Sequence, residues 1–162
     1  MKIYGIKNLN LMPSERDFYQ VSLKIFLKNN NGGVLILKST MGGSYEGFYD
    51  LPGGRINIDE FEVPFEDIIK REVTEEIGEI NFDLILKPVG IGRIAIIKKE
   101  SPLGGPVHAL NVFFEAIYKS GEIKISEEHT GFQWVKLTKD NLEQYFKLAI
   151  LEGAKMYLKN LK

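Results

Sequence analysis

The sequence predicts a mixed α/β domain in which several antiparallel strands combine with two or three helices. Apolar, β-branched runs are separated by glycine-rich turns, and one long acidic segment has helical periodicity. The strands do not alternate regularly with helices, which makes a doubly wound parallel sheet a poor alternative. The length of 162 residues suits one domain, and we predict a single domain over residues 1–162.

The first half of the chain begins with a predicted hairpin. Residues 19–28 are rich in apolar and β-branched side chains, residues 29–33 have turn composition, and residues 34–38 resume the strand pattern. Residues 41–49 have the composition of a loop, and a sharp break follows at Leu51-Pro52-Gly53-Gly54. Three aromatic residues of this loop are candidates to stack on a base: Tyr45, Phe48 and Tyr49.

Residues 64–77 predict the first helix. Pro64 suits its first turn, Glu66 and Asp67 suit its positive end, and Gly78 lies just past its last turn. One face of this helix carries an apolar stripe that should pack on the core, formed by Phe65, Ile68, Ile69, Val73 and Ile77.

The second half of the chain predicts further strands and a helical C-terminal region. Residues 84–97 indicate one bent strand or two, residues 101–106 a loop, and residues 107–118, 122–125 and 132–137 three more strands. Thr138 predicts the cap of a helix from about Lys139, with interrupted periodicity towards Leu158. An apolar C-terminal stripe indicates core packing or a homodimer contact, and it comprises Leu148, Leu151, Met156 and Leu158.

A glycine pair in the second half mimics a dinucleotide-binding fingerprint. Gly90 and Gly92 follow a strand pattern, but the helix that such a fingerprint requires is missing from the sequence. We therefore interpret the two glycines as a bulge or bend in a sheet.

Composition excludes several classes of protein. The absence of cysteine rules out a disulfide scaffold, a cysteine-ligated metal and a thiol nucleophile. No apolar run reaches the roughly 18 residues of a membrane span, and residues 1–8 lack the apolar stretch of a secretory signal. We expect a cytoplasmic protein without a membrane partner. The net charge of −1 argues against a basic surface for duplex nucleic acid.

The charge is concentrated in one segment. Residues 59–79 contain nine acids, opposed by Lys70 and Arg71. On the predicted helix Glu72 and Glu76 project within the angular range of the apolar stripe, and Glu75 lies beside them. Converging carboxylates repel one another and are costly to bury, and a divalent cation relieves both problems. Oxygen ligands favour Mg²⁺ or Mn²⁺ over zinc. A solvated acidic face without a site is the alternative.

The residues around the acidic helix support a site. Gly53 and Gly54 allow a close approach of the backbone, and Arg55 is placed to meet a phosphate. Arg71 could hold a carboxylate bidentately or form a surface ion pair. The two histidines, His108 and His129, are not spaced as a metal pair, and we interpret them as structural or surface residues.

These residues resemble a Nudix box, whose pattern is Gly, five residues, Glu, seven residues, and Arg-Glu-apolar-x-Glu-Glu-x-Gly-apolar. Residues 71–78, Arg-Glu-Val-Thr-Glu-Glu-Ile-Gly, match its second half without a gap, and Gly54 and Glu60 match its first half. Ten residues rather than seven separate Glu60 from Arg71, so Glu62 is an alternative for the first glutamate. A weaker resemblance extends from about residue 19 to residue 137.

The resemblance implies an α/β/α Nudix sandwich with a mixed, largely antiparallel sheet. It implies Mg²⁺- or Mn²⁺-dependent hydrolysis of a nucleoside diphosphate linked to another moiety, such as ADP-ribose or a nucleoside triphosphate. The implied metal ligands are Glu72, Glu75 and Glu76, with Arg71 as a further catalytic residue and Gly54 and Arg55 binding substrate. The base is one of these glutamates, Glu115, Glu127 or Glu128. The alternatives are a Nudix-like module that binds a nucleotide without cleaving it, and a structural domain.

Overall fold

The computed structural model describes residues 16–101 and 104–161. Its strands are β1 (Tyr19–Lys28), β2 (Val34–Ser39), β3 (Tyr49–Asp50), β4 (Gly53–Arg55), β5 (Asn81–Glu100), β6 (Pro106–Ser120) and β7 (His129–Val135). Its helices are α1 (Phe65–Ile77), α2 (Leu142–Tyr145) and α3 (Leu148–Asn160), and a 3₁₀ turn at Ile58–Glu60 precedes α1. Residues 1–8 and two residues of the predicted loop, 102 and 103, lie outside the described residues. No helix of the described ranges is long and apolar enough to cross a membrane.

The strands form one mixed sheet. Its order is β3-β2-β1-β6-β5, while β4 pairs with β1 and β7 pairs with β2. β1 runs parallel to β6, and the other pairs are antiparallel. One face of the sheet packs on α1 and the other on α3. The expected α/β class and the largely antiparallel sheet are therefore confirmed.

Alternation along β1 divides the core between the two faces. Leu23, Ile25 and Leu27 belong to the buried cluster that includes α1, whereas Phe26 belongs to the cluster that includes α3. Successive side chains of a strand point to opposite faces, so Ser22 and Lys24 share the α3 side with Phe26. Both polar side chains are buried, with relative exposures of 6%. Buried polar groups need hydrogen-bond partners, so Ser22 and Lys24 require polar groups on this face of the sheet.

The predicted N-terminal hairpin is present between β1 and β2. The backbone N–H of Asn29 donates to the carbonyl of Gly33 at 2.9 Å. The side-chain oxygen of Asn29 accepts from the backbone N–H groups of Asn31 and Gly33, at 3.0 and 2.9 Å. The asparagine side chain thus holds the turn that its position in the sequence predicts.

The short strand predicted over residues 122–125 is wrong. Lys124 donates its backbone N–H to the carbonyl of Ile77, and Ser126 donates to the carbonyl of Glu76, both at 2.9 Å. These bonds satisfy carbonyls in the last turn of α1, which have no partner within the helix. The extended segment is therefore paired with a helix end instead of a strand, which no local pattern in the sequence reveals.

The C-terminal helix differs from its prediction in start and in packing face. Residues 139–141 form a turn, and the Thr138 N–H donates to the side chain of Asn141 at 2.8 Å, so Thr138 does not cap a helix. Of the predicted stripe, Leu151 and Leu158 pack against the core cluster, whereas Leu148 and Met156 are 51% and 41% exposed. Three of the five buried residues of α3 are small, and the five are Ala149, Ile150, Gly153, Ala154 and Tyr157.

The small face of α3 fits the glycines of β5. A Cβ at Gly92 would lie 2.1 Å from the carbonyl oxygen of Ala149, and one at Gly90 would lie 2.7 Å from that of Gly153. The register of β5 against β6 also shifts between Ile85 and Gly90. The two glycines thus mark an irregular strand on which the helix backbone rests, in agreement with the interpretation as a bulge.

Gly92→Ala should destabilise the fold because its methyl group must displace the backbone of α3. We expect a loss of about 1–3 kcal/mol in the free energy of unfolding, measured by urea denaturation. Gly131→Ala is the matched control, since a Cβ at Gly131 meets no atom within 4 Å and its effect should stay within about 0.5 kcal/mol. Equal stability of the two variants would contradict this account of the β5–α3 contact.

Candidate active site

The helix α1 carries one carboxylate into the core. Its buried residues are Ile68, Ile69, Val73, Glu76 and Ile77. The prediction that Glu76 lies within the apolar stripe is therefore confirmed, whereas Phe65, the first residue of the helix, is 53% exposed. The Glu72 side chain is only 14% exposed, and that of Glu75 is 60% exposed. The three carboxylates thus stand at graded depths along one side of the helix.

The buried Glu76 carboxylate is held by the loop that precedes the helix. One of its oxygens, Oε2, accepts the backbone N–H of Gly53 at 2.7 Å, and Oε1 lies 3.4 Å from Nε2 of His129. Gly53 has φ +122°, and a Cβ there would lie 2.1 Å from the Leu23 carbonyl oxygen. Only glycine supplies the N–H in this conformation without a clash.

A buried lysine supports the same loop from β1. The ammonium of Lys24 donates to the carbonyls of Leu51 and Gly53 at 3.1 and 3.0 Å, and it lies 2.9 Å from the Asp50 carboxylate. Burial alone would lower the pKa of Lys24, but the charges of Asp50 and Glu76 raise it above its ordinary value. The lysine therefore stays charged and balances the carboxylates of Asp50 and Glu76.

Arg71 forms its bidentate contact with Glu60. Its Nε lies 2.5 Å from Oε1 of Glu60 and its Nη2 lies 2.9 Å from Oε2. Hydrogen bonds from Arg71 and from the Asn57 backbone lower the pKa of Glu60. The other edge of the guanidinium, Nη1, lies 2.8 Å from Glu72 and 3.2 Å from Glu75. Arg71 thus links the loop to two carboxylates of the cluster.

Two turns absorb the three additional residues of the loop. Glu60 donates its N–H to the Asn57 carbonyl, and Val63 donates to the Glu60 carbonyl, both at 3.0 Å. The chain therefore folds back before Pro64, so Glu60 reaches Arg71 despite the longer spacing. Glu62 is exposed and forms no ion pair with the described residues. Of the two alternatives for the first glutamate of the pattern, Glu60 is therefore the one that contacts Arg71.

Gly54 leaves room for the Glu72 carboxylate. A Cβ at Gly54 would lie 2.0 Å from Oε2 of Glu72. Burial raises the pKa of Glu72, and the charges of Glu76 and Glu75 raise it further, against the opposing effect of Arg71. The cluster therefore holds more negative charge than Arg71 balances, which is an environment suited to a cation.

The cluster opens into a cleft of about 590 Å³. Five carboxylates line the cleft against three cationic side chains, and these are Asp50, Glu72, Glu75, Glu76 and Glu128 against Lys24, Arg55 and Arg71. Such a surface repels a phosphate unless positive charge is added. Possible ligand atoms of Glu76, Glu128 and His129 lie within 4.8 Å of one another. Two carboxylates and an imidazole suit a divalent cation. The predicted ligands Glu72 and Glu75 line the same cleft but do not belong to this group of three.

His129 is the site residue that the sequence interpretation assigned to structure or surface. It begins β7 opposite Ser39, lines the cleft, and leaves 5% of its side chain exposed. Its Nδ1 is enclosed and has no hydrogen-bond partner among the described residues. The other histidine, His108, lies 2.6 Å from Asp17 at an exposed position and does not line the cleft.

Some of the remaining candidate site residues line the cleft and others lie outside it. Arg55 lines the cleft, and its Nη1 donates at 3.0 Å to Gln20, which is not one of the cleft residues. Among the candidate bases outside the box, Glu128 lines the cleft and Glu127 does not. Glu115 accepts hydrogen bonds from Lys28, at 3.1 Å, and from the Tyr157 hydroxyl, so it holds α3 against the sheet.

The aromatic loop serves mainly as packing. The ring of Phe48 lies under the ammonium of Lys147, 4.9 Å away, and Tyr49 packs edge-on against Tyr145. Tyr45 is buried and forms a wall of the cleft. Of the three predicted stacking residues, Tyr45 is the one that lines the cleft.

Comparisons with known proteins agree with this geometry. A family model described as NUDIX domain matches residues 18–148. The solved MutT protein from Methanosarcina mazei Go1 is 22% identical, with a TM-score of 0.63 over 90% of this chain and 95% of its own. The MutT NUDIX hydrolase from Burkholderia pseudomallei is 19% identical, with a TM-score of 0.61 over 90% and 100%.

A third solved structure belongs to the E. coli dihydroneopterin triphosphate pyrophosphohydrolase. It is 14% identical to this chain, with a TM-score of 0.62 over 90% of this chain and 98% of its own. At these identities the three structures show a shared fold. The search among curated proteins found no match.

Glu60→Gln should weaken cation binding without touching the cluster itself, because it removes the charge that holds Arg71. We expect Mn²⁺ to bind about tenfold more weakly by isothermal titration calorimetry. Glu62→Gln is the matched control, and its Mn²⁺ affinity should equal that of the unmodified protein. Equal losses in both variants would point to a general charge effect and contradict the pairing role of Glu60.

Proposed function

This chain belongs to the Nudix hydrolase family, and from that premise we propose that it hydrolyses a pyrophosphate bond in a nucleoside diphosphate derivative, with Mg²⁺ or Mn²⁺. The observation that carries the proposal is the cleft itself, which Glu72, Glu75 and Glu76 line together with Gly54. Arg71, held by Glu60, fixes two of these carboxylates. Composition and charge favour a cytoplasmic location and a small-molecule substrate as further parts of this proposal.

The three glutamates of the cluster would hold the cation, and Glu128 and His129 lie close to Glu76. The excess of carboxylates over cationic side chains in the cleft supports this assignment. A bound divalent ion neutralises phosphate charge and lowers the pKa of a coordinated water. Hard oxygen donors fit Mg²⁺ and Mn²⁺.

The protein's own groups orient the reaction. The Gly53 N–H holds one oxygen of Glu76, which leaves the other facing His129. Arg71 fixes an oxygen of Glu72, and the missing side chain of Gly54 leaves space for its second oxygen. Because Arg55 lines the same cleft, its guanidinium is the group we assign to a substrate phosphate.

Glu128 is the residue we assign as general base. It is exposed, lines the cleft and lies beside Glu76 and His129, so its carboxylate can accept a proton from an attacking water. Glu115 is committed to Lys28 and Tyr157, away from the cleft. Glu127 does not line the cleft.

The structural neighbours support a phosphorylated substrate with a ring-bearing end group. The E. coli neighbour is described as acting on dihydroneopterin triphosphate. This agrees with candidates such as ADP-ribose or a nucleoside triphosphate, which share a phosphate chain and a heterocycle. Cleft residues outside the Nudix box would determine which of these candidates binds.

The alternative of a binding module without catalysis depended on the longer loop. A longer loop could misplace Glu60 and leave the cluster without its arginine. The two turns at Asn57–Glu60 and Glu60–Val63 bring Glu60 to Arg71, which argues against that alternative. We therefore favour hydrolysis.

Glu76→Gln should abolish hydrolysis while the protein stays folded, because the amide is neutral and has nearly the same shape. We expect at least a 100-fold loss of kcat/KM on the best substrate from a panel of nucleotides assayed with Mg²⁺ and with Mn²⁺. Glu79→Gln, an exposed position outside the cleft, is the matched control and should keep full activity. Full activity of Glu76→Gln, or binding without any product release by the unmodified protein, would refute the proposal.

A further inference from the structure

A row of side chains crosses four neighbouring segments of the sheet on the face that packs on α1. Gly92 of β5 contacts α3, so the next residue, Arg93, points to the opposite face. Arg93 is the register partner of Leu110 on β6, and Leu110 is the partner of Val21 on β1. The N–H of Ile56, just after β4, donates to the Val21 carbonyl at 2.9 Å. Arg93 and Ile56 are therefore three strand spacings apart, about 14 Å.

The helix α1 covers only part of this face. Leu23 and Ile25 of β1 are 1% and 0% exposed beneath it. Tyr19, at the start of the same strand and on the same face, is 42% exposed, and Ile91 of β5 is 48% exposed. The beginning of β1 and the face of β5 thus remain open to solvent.

The loop between β4 and α1 extends this open surface. Ile58 and Phe61 are 101% and 91% exposed, although Glu60 between them turns inward to Arg71. Ile58 lines a shallow concavity together with Tyr19 and residues of the row. We call the surface from Arg93 to residues 58–65 the apolar strip. Adjacent exposed apolar side chains of this size are typical of a contact with another protein.

Opposite charges lie at the two ends of the apolar strip. The guanidinium of Arg93 forms no hydrogen bond or ion pair with any residue of the described ranges, and neither do the exposed carboxylates of Asp59 and Glu62. A twofold axis through the strip brings each end of one copy onto the opposite end of the other. The free cation of each copy then meets the free carboxylates of its partner, so the charges favour a second copy of this chain.

We propose that two copies of the chain form a homodimer through the apolar strip, with Arg93 of each copy against Asp59 and Glu62 of the other. Six exposed apolar side chains of the strip offer on the order of 600 Å² of surface, whereas stable interfaces bury about 800 Å² on each partner. The stripe on α3, which the sequence indicated as a possible homodimer contact, lies on the opposite face of the sheet.

The proposed contact borders the candidate active site. Arg55 and Asn57 line both the concavity of the strip and the cleft. Glu60, the partner of Arg71, lies in the chain between Ile58 and Phe61, which the second copy would cover. The dimer would therefore enclose the outer side of the loop that holds the arginine.

Sedimentation equilibrium over a range of protein concentrations tests the contact without any assay of hydrolysis. We expect a species of twice the chain mass of 18.4 kDa. Phe61→Ser and Arg93→Glu should each raise the Kd of the dimer at least about tenfold, because one removes apolar contact and the other opposes like charges. Met156→Ser on α3 is the matched control and should leave that Kd unchanged.

A disulfide tests the orientation of the two copies, because the chain contains no cysteine. Asp59→Cys and Arg93→Cys are combined in one variant. Within one copy the two positions lie at opposite ends of the strip, beyond the roughly 7 Å between Cα atoms that a disulfide spans. Mild oxidation should therefore give a covalent dimer on a non-reducing gel. Asp59→Cys combined with Lys159→Cys, on α3, is the control and should stay monomeric on the gel.

The outcomes decide the proposal separately from the proposed function. A monomeric mass at every concentration would overturn the dimer and leave the strip to another part of the chain or to a different protein. A dimer that Met156→Ser weakens and Phe61→Ser does not would also overturn it. A dimer that depends on Phe61 and Arg93, in a protein without hydrolytic activity, would uphold the contact and contradict the proposed function alone.

Discussion

The burial of the Glu76 carboxylate is the constraint on which the site depends. An ionised group in an apolar stripe is costly unless it is hydrogen-bonded and its charge is balanced. The Gly53 N–H, the Lys24 ammonium and the His129 ring meet this demand from three separate elements. Each of these partners also lines the cleft, so the groups that stabilise the buried carboxylate also shape the proposed cation site.

The Glu60–Arg71 pair shows that such a site depends on distance in space more than on spacing in sequence. The loop between them is three residues longer than the Nudix pattern, yet two tight turns return Glu60 to bidentate contact. The exposed Glu62 has no such contact, although its spacing made it a candidate. A loop can therefore vary in length while the ion pair at its base keeps the cluster oriented.

The sequence predicted the features that depend on residues close together in the chain. The periodicity of β1 and of α1, the turn at Asn29 and the position of Glu76 all follow from neighbouring residues in the chain. Partners supplied from distant segments were missed, because no local pattern reports them. Residues 122–125 pair with the end of α1. The backbone of α3 packs closely on the strand at Gly90 and Gly92. His129 contacts Glu76, which is 53 residues away in the sequence. A local signal for these distant partners was Lys24, at a core-facing position of β1, because a buried ammonium requires hydrogen-bond and charge partners nearby.

The cleft is built from two parts of the fold. Its carboxylates are held by α1 and the glycine loop, whose geometry leaves little freedom because a Cβ at Gly53 or Gly54 would meet backbone or the Glu72 carboxylate. Other lining residues lie on β1, β6 and β5 and are placed by the register of these strands, so they can change without moving Glu76. On one fold, the same arrangement of carboxylates can therefore serve substrates with different end groups.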